Sequence, residues 1–418
     1  MTEITAFERD GIRFNLDPRS EVAENRFTII IGPNASGKSQ LLKAVAEEVL
    51  DEHRAIRTEG DGCVLALSSL VTDSFPFAGY SVRDYRYLGL RQSSNSVTTG
   101  SLPDLTAQAV MICSLEDWRA RAVVNACQVI GLTDLSMTIL PVKRGGRGVE
   151  VFQRSLENEM KRHAHFEEFD ASDLFARLSE LRQALVLSST RDVVEGHPVA
   201  QKLAQLAEMH RVDLHAMLRA AKRSGLFEIK ISARVGSVEV ADRQMSSGQL
   251  LLLSLVARVA AFVNRGSIVL IDEPEVALHP SWQAQIIPLL RRSFPKDLQC
   301  HIFLASHSPH IVADGSDVLV PGHSWGNFEQ FGDPFFGRSP ENILYRVFNA
   351  RVTGNILVDE DLLTLTEAVS RQEMPSDLSE VEAALRRLLK ISGPDTTALN
   401  EILAQAEEFL GGLTVEEF

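Results

Sequence analysis

Apolar positions alternate with polar ones through Ile4, Phe7, Ile12 and Phe14, a DPRS turn follows, and Phe27, Ile29, Ile30 and Ile31 form an apolar run, so residues 1–31 predict strands. That run ends in glycine. From Ser39 the apolar residues Leu41, Leu42, Ala44, Val45, Val49 and Leu50 recur at helical spacing, giving a strand, a Gly-rich turn and a helix in succession. Cys63 to Leu70 and Tyr85 to Leu90 predict two more strands. Between about Leu102 and Leu226 the pattern is mainly helical, with helices near Trp118 to Ile130, Ser172 to Leu187 and Val199 to Ala221. A hairpin of Met137 to Val142 against Val149 to Phe152, joined by Lys143 to Gly148, interrupts it. A strand pair, Phe227 to Val235 and Val238 to Val240, comes next. A helix from Leu250, a strand at Ser267 to Ile271, a helix after Pro280 and a strand at Ile302 to Ala305 then alternate as in a parallel sheet covered by helices. Past Pro321 a glycine- and phenylalanine-rich connector leads to amphipathic helical segments within Asn342 to Phe348, Leu362 to Ser370, Leu378 to Leu389 and Thr397 to Leu410.

Composition excludes some classes outright. With 418 residues, 44% hydrophobic and 23% charged, the chain can bury two or three packed modules, which rules out intrinsic disorder and a disulfide-stapled mini-scaffold. The longest apolar stretch, Leu250 to Val263, is broken by Ser254 and Arg258 and falls short of the ~18 apolar residues of a membrane span. The start MTEITAFERD has early acids and no basic cluster followed by an apolar run, so the cytoplasm is the expected location and no membrane is expected. Cys63, Cys113, Cys127 and Cys300 lie far apart without a C-x-x-C pair, as reduced core thiols do. Net charge is −14 and concentrated: Asp359 to Phe418 holds 14 acids against 4 bases. Such acidity gives no positive support for nucleic-acid binding, although a local basic patch could still provide it.

Three motifs carry chemistry. Gly32-Pro33-Asn34-Ala35-Ser36-Gly37-Lys38-Ser39, followed by Gln40, satisfies G-x-x-x-x-G-K-[ST] between an apolar strand and a helix. Glycines let the backbone curl around phosphates, its N–H groups and the helix N-terminus face the anion, Lys38 reaches the β/γ oxygens and Ser39 ligates Mg²⁺. Ser267 to Glu273 is an apolar strand delivering two carboxylates at its C-terminal edge, a Walker B pattern in which Asp272 holds Mg²⁺ and Glu273 orients the attacking water. His307 lies just past the strand at Ile302 to Ala305, 35 residues after Asp272, within reach of a γ-phosphate on the same sheet edge.

Met245-Ser246-Ser247-Gly248-Gln249 precedes the helix near Leu250. With these four motifs in this order, the chain resembles the ABC ATPase superfamily, the serine-glycine string being similar to its signature. The resemblance implies that two copies meet head to tail, with Ser246, Ser247, Gly248 and Gln249 of one closing on ATP held by the other, and it makes His307 the switch histidine. Asp272 to Pro280 (DEPEVALHP) and Ala305 to Pro309 (ASHSP) resemble the soluble OLD-like, RecF-like and SMC-like branch rather than transporter cassettes, and Ser246 follows Lys38 by 208 residues, leaving room for a lid. Leu65 to Pro76 and Tyr85 to Gln92 resemble compact ATPases of antiphage operons such as the Septu ATPase subunit.

Some assignments keep two readings. Gln92, 54 residues after Lys38, is a candidate Mg²⁺-sensing Q-loop glutamine or a solvated loop residue. Phe7 or Phe14 could stack on adenine, although aromatic residues on a strand usually serve burial. His163 and His165 with Glu167, Glu168 and Asp170 read as a polar face rather than a metal cluster, and Lys143, Arg144 and Arg147 as a hairpin tip that could touch phosphates. Asp359 and Asp361 mimic the D-x-D strand end of a Toprim nuclease, but a helix N-cap in an acidic tail fits better, so a separate nuclease is expected if DNA is cut.

The expected fold is α/β, a P-loop ABC-type ATPase head with a mainly helical lid insertion and a helical C-terminal tail. Its parts are residues 1–100 with the P-loop, a lid at 101–226, a second ATPase lobe at 227–322 and an acidic helical region at 323–418. The expected activity is Mg²⁺-dependent ATP hydrolysis by a homodimer or higher oligomer that regulates a partner effector, a nuclease among the options, or engages nucleic acid in antiphage defence. The alternatives are a stand-alone DNA-repair or OLD-like nuclease and the ATPase subunit of a transporter.

Overall fold

The computed structural model describes residues 4–17, 24–51, 61–70, 72–77, 85–93, 96–97, 102–141, 148–160, 170–187, 192–193, 198–312, 315–332, 356–371, 378–392 and 397–416. Contacts divide the chain into two units, Met1–Ile311 with Gly315–Phe331 and Val312–Asp314 with Gly332–Phe418.

The first unit begins with the hairpin β1 (Ala6–Arg9) and β2 (Ile12–Asn15), the strand β3 (Arg26–Ile31) and the helix α1 (Lys38–Leu50). Next come β4 (Val64–Ser68), β5 (Tyr85–Tyr87) and the pair β6 (Arg91–Ser93) and β7 (Ser96–Val97). Two helices, α2 (Leu102–Cys113) and α3 (Asp117–Val129), lead to the long strand β8 (Thr133–Pro141). Then follow α4 (Val149–Met160), α5 (Ala171–Leu187), β9 (Asp192–Val193), α6 (Pro198–Met209) and α7 (Leu214–Arg223). The chain returns through β10 (Phe227–Val235), β11 (Val238–Ala241), α8 (Ser247–Phe262) and β12 (Ile268–Asp272). It continues through α9 (Pro280–Gln283), α10 (Ile286–Ser293), β13 (His301–Ser306), β14 (Asp317–Pro321) and β15 (Asn327–Gln330).

Nine strands form the main sheet in the order β1-β2-β15-β14-β3-β13-β12-β4-β5. Its central strands β3, β4, β12 and β13 are buried at every position, which is why they read as unbroken apolar runs: strands covered on both faces have no polar side to show. β13 runs parallel to β3 and to β12, with Ala305 opposite Ile30 and Asp272, and β12 sets Asp272 opposite Ser68 on β4. The parallel register brings the loops after β3, β12 and β13 to one edge. Because β14 is parallel to β3 and β15 returns antiparallel to it, the β14–β15 turn reaches that same edge. Arg26 Nε donates to Asp317 Oδ2 at 2.7 Å, tying β3 to β14 through an ion pair almost closed to solvent.

The helical stretch after residue 101 packs closely on the head. α2 and α3 both pack on α8, whose residues from Leu252 to Ala260 are buried throughout, and the Arg119 guanidinium donates to the carbonyls of Ala260 and Val263 near the end of α8. A second, antiparallel sheet has the order β11-β10-β8-β9. The hairpin expected of Met137 to Val142 with Val149 to Phe152 does not form. β8 pairs with β10, and Val149 onward is α4, which buries Phe152, Leu156 and Met160 along one side. The single helix expected over Val199 to Ala221 is two, α6 and α7, with Asp213 capping α7 by accepting from Ala216 N at 2.8 Å. The loop basics Lys143, Arg144 and Arg147, the group His163 to Glu168, and Asn342 to Phe348 lie outside the described residues.

The second unit contains helices Ile356–Arg371, Leu378–Ile391 and Thr397–Glu416 around a core of Leu365, Ala384, Leu388 and Leu403. Ile356 to Val358, which mimicked a strand, opens the first helix. Asp361 does not cap it: the carboxylate is buried and accepts from Arg387 Nε and Nη2 at 2.8 and 2.7 Å.

Candidate functional site

The turn between β3 and α1 is shaped by glycine. Gly37 has φ +94°, a conformation that strains residues bearing a β-carbon, and a β-carbon on Gly32 would come within 2.8 Å of the Pro321 ring. The Lys38 ammonium is folded back over the turn, donating to Gly32 O at 2.8 Å and Pro33 O at 2.9 Å. Burial pushes its pKa down, against the pull of Glu273, Glu275 and Asp272. Pro33, Asn34 and Ala35 form the exposed lip, Ser36 and Gly37 are half-buried, and Gln40 is exposed in the first turn of α1. Ser36 Oγ is buried and has no partner among the described residues, so the cradle holds an uncommitted polar atom.

Residues 233 positions apart meet at this edge: Ser39 Oγ donates to Asp272 Oδ1 at 3.0 Å. Asp272 ends β12 almost wholly buried, and desolvation drives its carboxyl pKa up to about 7 despite that hydrogen bond, with Glu273 and Glu275 adding to the rise. Glu273 sits at φ +48°, unusual for glutamate, and its N–H is pinned to Ala305 O at 2.9 Å. A hydroxyl and a buried carboxylate at this distance, beside a lysine and a second carboxylate, form a hard-oxygen donor set suited to Mg²⁺. An uncommitted serine in a glycine-shaped cradle suits phosphate. The residues therefore fit ATP-Mg²⁺.

His307 follows β13 with its side chain 47% exposed, turned by a residue whose role the sequence pattern did not reveal. Glu275 is buried; its Oε1 accepts from Ser306 Oγ at 2.7 Å and His307 N at 2.8 Å and lies 3.1 Å from His307 Nδ1, while its Oε2 has no partner among the described residues. Ser308 Oγ donates to Gln283 Oε1 at 2.6 Å, fixing the far side of the same loop. The histidine that opens β13, His301, is structural: it is buried, Ile4 N donates to its Nδ1 at 3.2 Å, and Thr28 Oγ1 lies 2.9 Å from its Nε2.

The segment Ser246 to Gln249, expected to act as a signature, forms a cluster of its own. Ser246 caps α8, accepting from Gln249 N at 3.2 Å, and Gln249 Oε1 accepts in return from Ser246 N at 3.0 Å. Gln249 Nε2 also donates to Ile130 O at 3.1 Å, so its amide is committed to the scaffold. Ser246 and Ser247 are exposed. Gly248 is pressed under Trp282 and Ala277 O, which a β-carbon would meet at 3.0 and 2.9 Å. Gln92 lies on β6, and its side chain is outside the described residues. Its neighbour Arg91 donates to Asp73 Oδ1 at 2.7 Å, and Tyr87 OH donates to Asp73 Oδ2 at 2.5 Å; burial, with that hydrogen bond adding to it, raises the Tyr87 pKa to about 12. Phe7 and Phe14 are core residues, stacked on each other at 5.8 Å, so neither offers a face to adenine.

Residues 149–313 match the family described as "AAA domain, putative AbiEii toxin, Type IV TA system". That segment contains Ser246 to Gln249, Asp272, Glu273, Glu275 and His307; the P-loop lies before it. The chain is 37% identical over 86 residues to "Retron Ec83 probable ATPase" of Escherichia coli, covering 18% of this chain and 15% of that protein. It is 33% identical over 101 residues to "Septu protein PtuA" of Bacillus thuringiensis, covering 22% of this chain and 25% of that protein. The aligned parts thus span a quarter or less of these relatives' lengths. Among solved structures, an ATP-binding cassette of an ABC transporter is similar at TM-score 0.30 and 11% identity, covering 78% of this chain and 87% of that one. The Smc head domain from Pyrococcus furiosus gives TM-score 0.28 and 11% identity, covering 73% and 89%.

Proposed function

We propose that this chain, which carries an ABC-like AAA ATPase domain, binds ATP-Mg²⁺ at the edge of its main sheet, hydrolyses it, and uses the cycle of association and release between two copies to control a partner effector in antiphage defence. The observation that carries the reading is the 3.0 Å approach of Ser39 Oγ to Asp272 Oδ1, which joins the P-loop to the carboxylate strand.

The backbone N–H groups of Asn34 to Ser39 and the Lys38 ammonium bind and orient the triphosphate, Lys38 leaving its two carbonyl partners to do so. Ser39 and Asp272 would hold the metal, which when bound would supply charge neutralisation to the triphosphate. Glu273, placed one residue beyond the metal-holding aspartate, orients the attacking water, and His307, steadied by Glu275, donates toward the γ-phosphate. The exposed Ser246 hydroxyl and the α8 N-terminus supply donors to nucleotide held by a second copy.

No helix among the described residues is long and apolar enough to cross a membrane. We place this activity in the reducing cytoplasm, which the buried, reduced thiols of Cys113, Cys127 and Cys300 suit. Two relatives named for a retron and for Septu support the defence role. The test is mass by light scattering of Glu273→Gln protein with and without ATP-Mg²⁺, beside phosphate release by wild type. An ATP-dependent rise in subunit number, with hydrolysis in wild type alone, supports the reading; a persistent monomer without hydrolysis overturns it.

A further inference from the structure

The chain has three tryptophans, and two are spoken for. Trp118 is half-buried and meets Phe294 edge-on at 6.2 Å, and Trp282 packs on Gly248. Trp325 is 66% exposed, in the tight turn between β14 and β15. An aromatic ring of this size is ordinarily buried, so one held in solvent beside a phosphate cradle calls for a ligand.

The turn brings Trp325 to the P-loop. The space a β-carbon on Gly37 would take lies 3.8 Å from Trp325 Nε1 and 3.7 Å from Cζ of the buried Phe328 beneath. The position is fixed from several sides. Gly322 N donates to Asn327 O at 2.8 Å, closing the turn, and Asn327 N donates to Ser324 O at 3.1 Å within it. Pro321, immediately before the turn, is the ring pressed on Gly32. Arg13 N donates to Gly326 O at 2.8 Å, docking the turn on the β1–β2 hairpin. Gly326 itself has φ +83°, and a β-carbon there would come within 2.5 Å of Gly11 O.

A nucleotide whose phosphates occupy Gly32 to Ser39 must place its base outside the cradle, one ribose away. Phe7 and Phe14 are closed off in the core, whereas Trp325 presents an open indole beside the glycine that shapes the cradle. We propose that Trp325 is the stacking surface for the base of a nucleoside triphosphate bound at the P-loop, an assignment that rests on the nucleotide reading above. Stacking uses the flat face that every base has, so this residue selects for the presence of a base, with purines favoured over pyrimidines by their larger area.

The test is calorimetric titration of Glu273→Gln protein, and of the same protein carrying Trp325→Ala or Trp325→Phe, with ATP-Mg²⁺ and separately with inorganic tripolyphosphate-Mg²⁺. Trp325→Ala is expected to raise the ATP Kd about tenfold, equivalent to ~1.4 kcal/mol. Tripolyphosphate affinity is expected to stay unchanged, and Trp325→Phe to restore most of the ATP affinity. An unchanged ATP Kd in Trp325→Ala overturns the assignment while leaving the phosphate site standing. Equal weakening of ATP and tripolyphosphate also overturns it, since the residue would then act through the shape of the P-loop. Binding of neither ligand by the chain with Trp325 intact removes the nucleotide reading and this assignment with it.

Discussion

One carboxylate oxygen of Glu275 serves both ends of His307, accepting from its backbone nitrogen at 2.8 Å and lying 3.1 Å from its Nδ1. The same oxygen takes the Ser306 hydroxyl at 2.7 Å, so a single buried acceptor organises the end of β13. That arrangement leaves His307 half-exposed yet oriented, as its proposed contact with a γ-phosphate requires.

Glu275→Ala is therefore expected to lower kcat by about tenfold to a hundredfold, by letting the imidazole drift, with little change in ATP Kd. It also leaves the Ser306 hydroxyl and the His307 N–H without their acceptor, at a cost of about 1–3 kcal/mol in stability. Glu275→Gln keeps an acceptor oxygen and should retain most of the turnover. Combining Glu275→Ala with His307→Ala should cost little more than His307→Ala alone; additive losses in phosphate-release rates would show that the two act separately.

Asp272 gives a pH dependence with a definite sign. Its folded pKa of about 7 lies well above the ordinary aspartate value, so between the two the metal-free folded state binds the proton more tightly than the unfolded chain, and this carboxyl's contribution to stability is lost as pH rises. Metal-free wild type is expected to lose Tm relative to Asp272→Asn as pH is raised from about 5 to about 8. Mg²⁺ must displace the same proton, so its apparent affinity should climb through this range and level off above it. Thermal melts across pH with and without Mg²⁺ check both; parallel curves for the two proteins would count against the assignment.

Much of the head was legible because its signals are local and dense. The runs at Phe27 to Ile31 and Ser267 to Ile271 could hardly be anything but buried strands, and the phosphate-cradle and carboxylate motifs sit at strand ends where chain direction alone brings them together. The failures have physical causes. Val149, Val151 and Phe152 favour a strand by residue type, yet Phe152, Leu156 and Met160 repeat at four-residue spacing and helix packing prevails. Asp213 caps a helix in the middle of what reads as one continuous helical pattern. Glu275 and Trp325 carry no periodic signal, since their meaning lies in contacts with His307 and Gly37 that only tertiary structure makes.

The signature serine has a structural duty beside its proposed one. Ser246→Ala removes the N-cap of α8 and is expected to cost about 1 kcal/mol, while Ser246→Asp restores a capping oxygen. If Ser246 also meets nucleotide held by a second copy, Ser246→Asp should regain stability in urea denaturation and still fail to associate with ATP-Mg²⁺, because its charge repels the phosphates. Association by Ser246→Asp equal to that of Glu273→Gln protein would leave the serine with its capping role alone.

Asp359 and Asp361 decide between an ATPase that commands a separate effector and a chain that cleaves DNA itself. Two residues apart on one helix, they face different directions: Asp359 is exposed, whereas Asp361 is buried against Arg387. Such a pair cannot close on one metal ion while the helix stands. Asp359→Ala is expected to be neutral within about 0.5 kcal/mol. Asp361→Ala, which strips a bidentate partner from Arg387, should destabilise the helical unit by about 2 kcal/mol. Neither change should alter phosphate release. Urea denaturation and a DNA cleavage assay on the same preparations settle the matter: metal-dependent cleavage by the wild-type chain alone, abolished by Asp359→Ala without loss of stability, would restore the nuclease alternative.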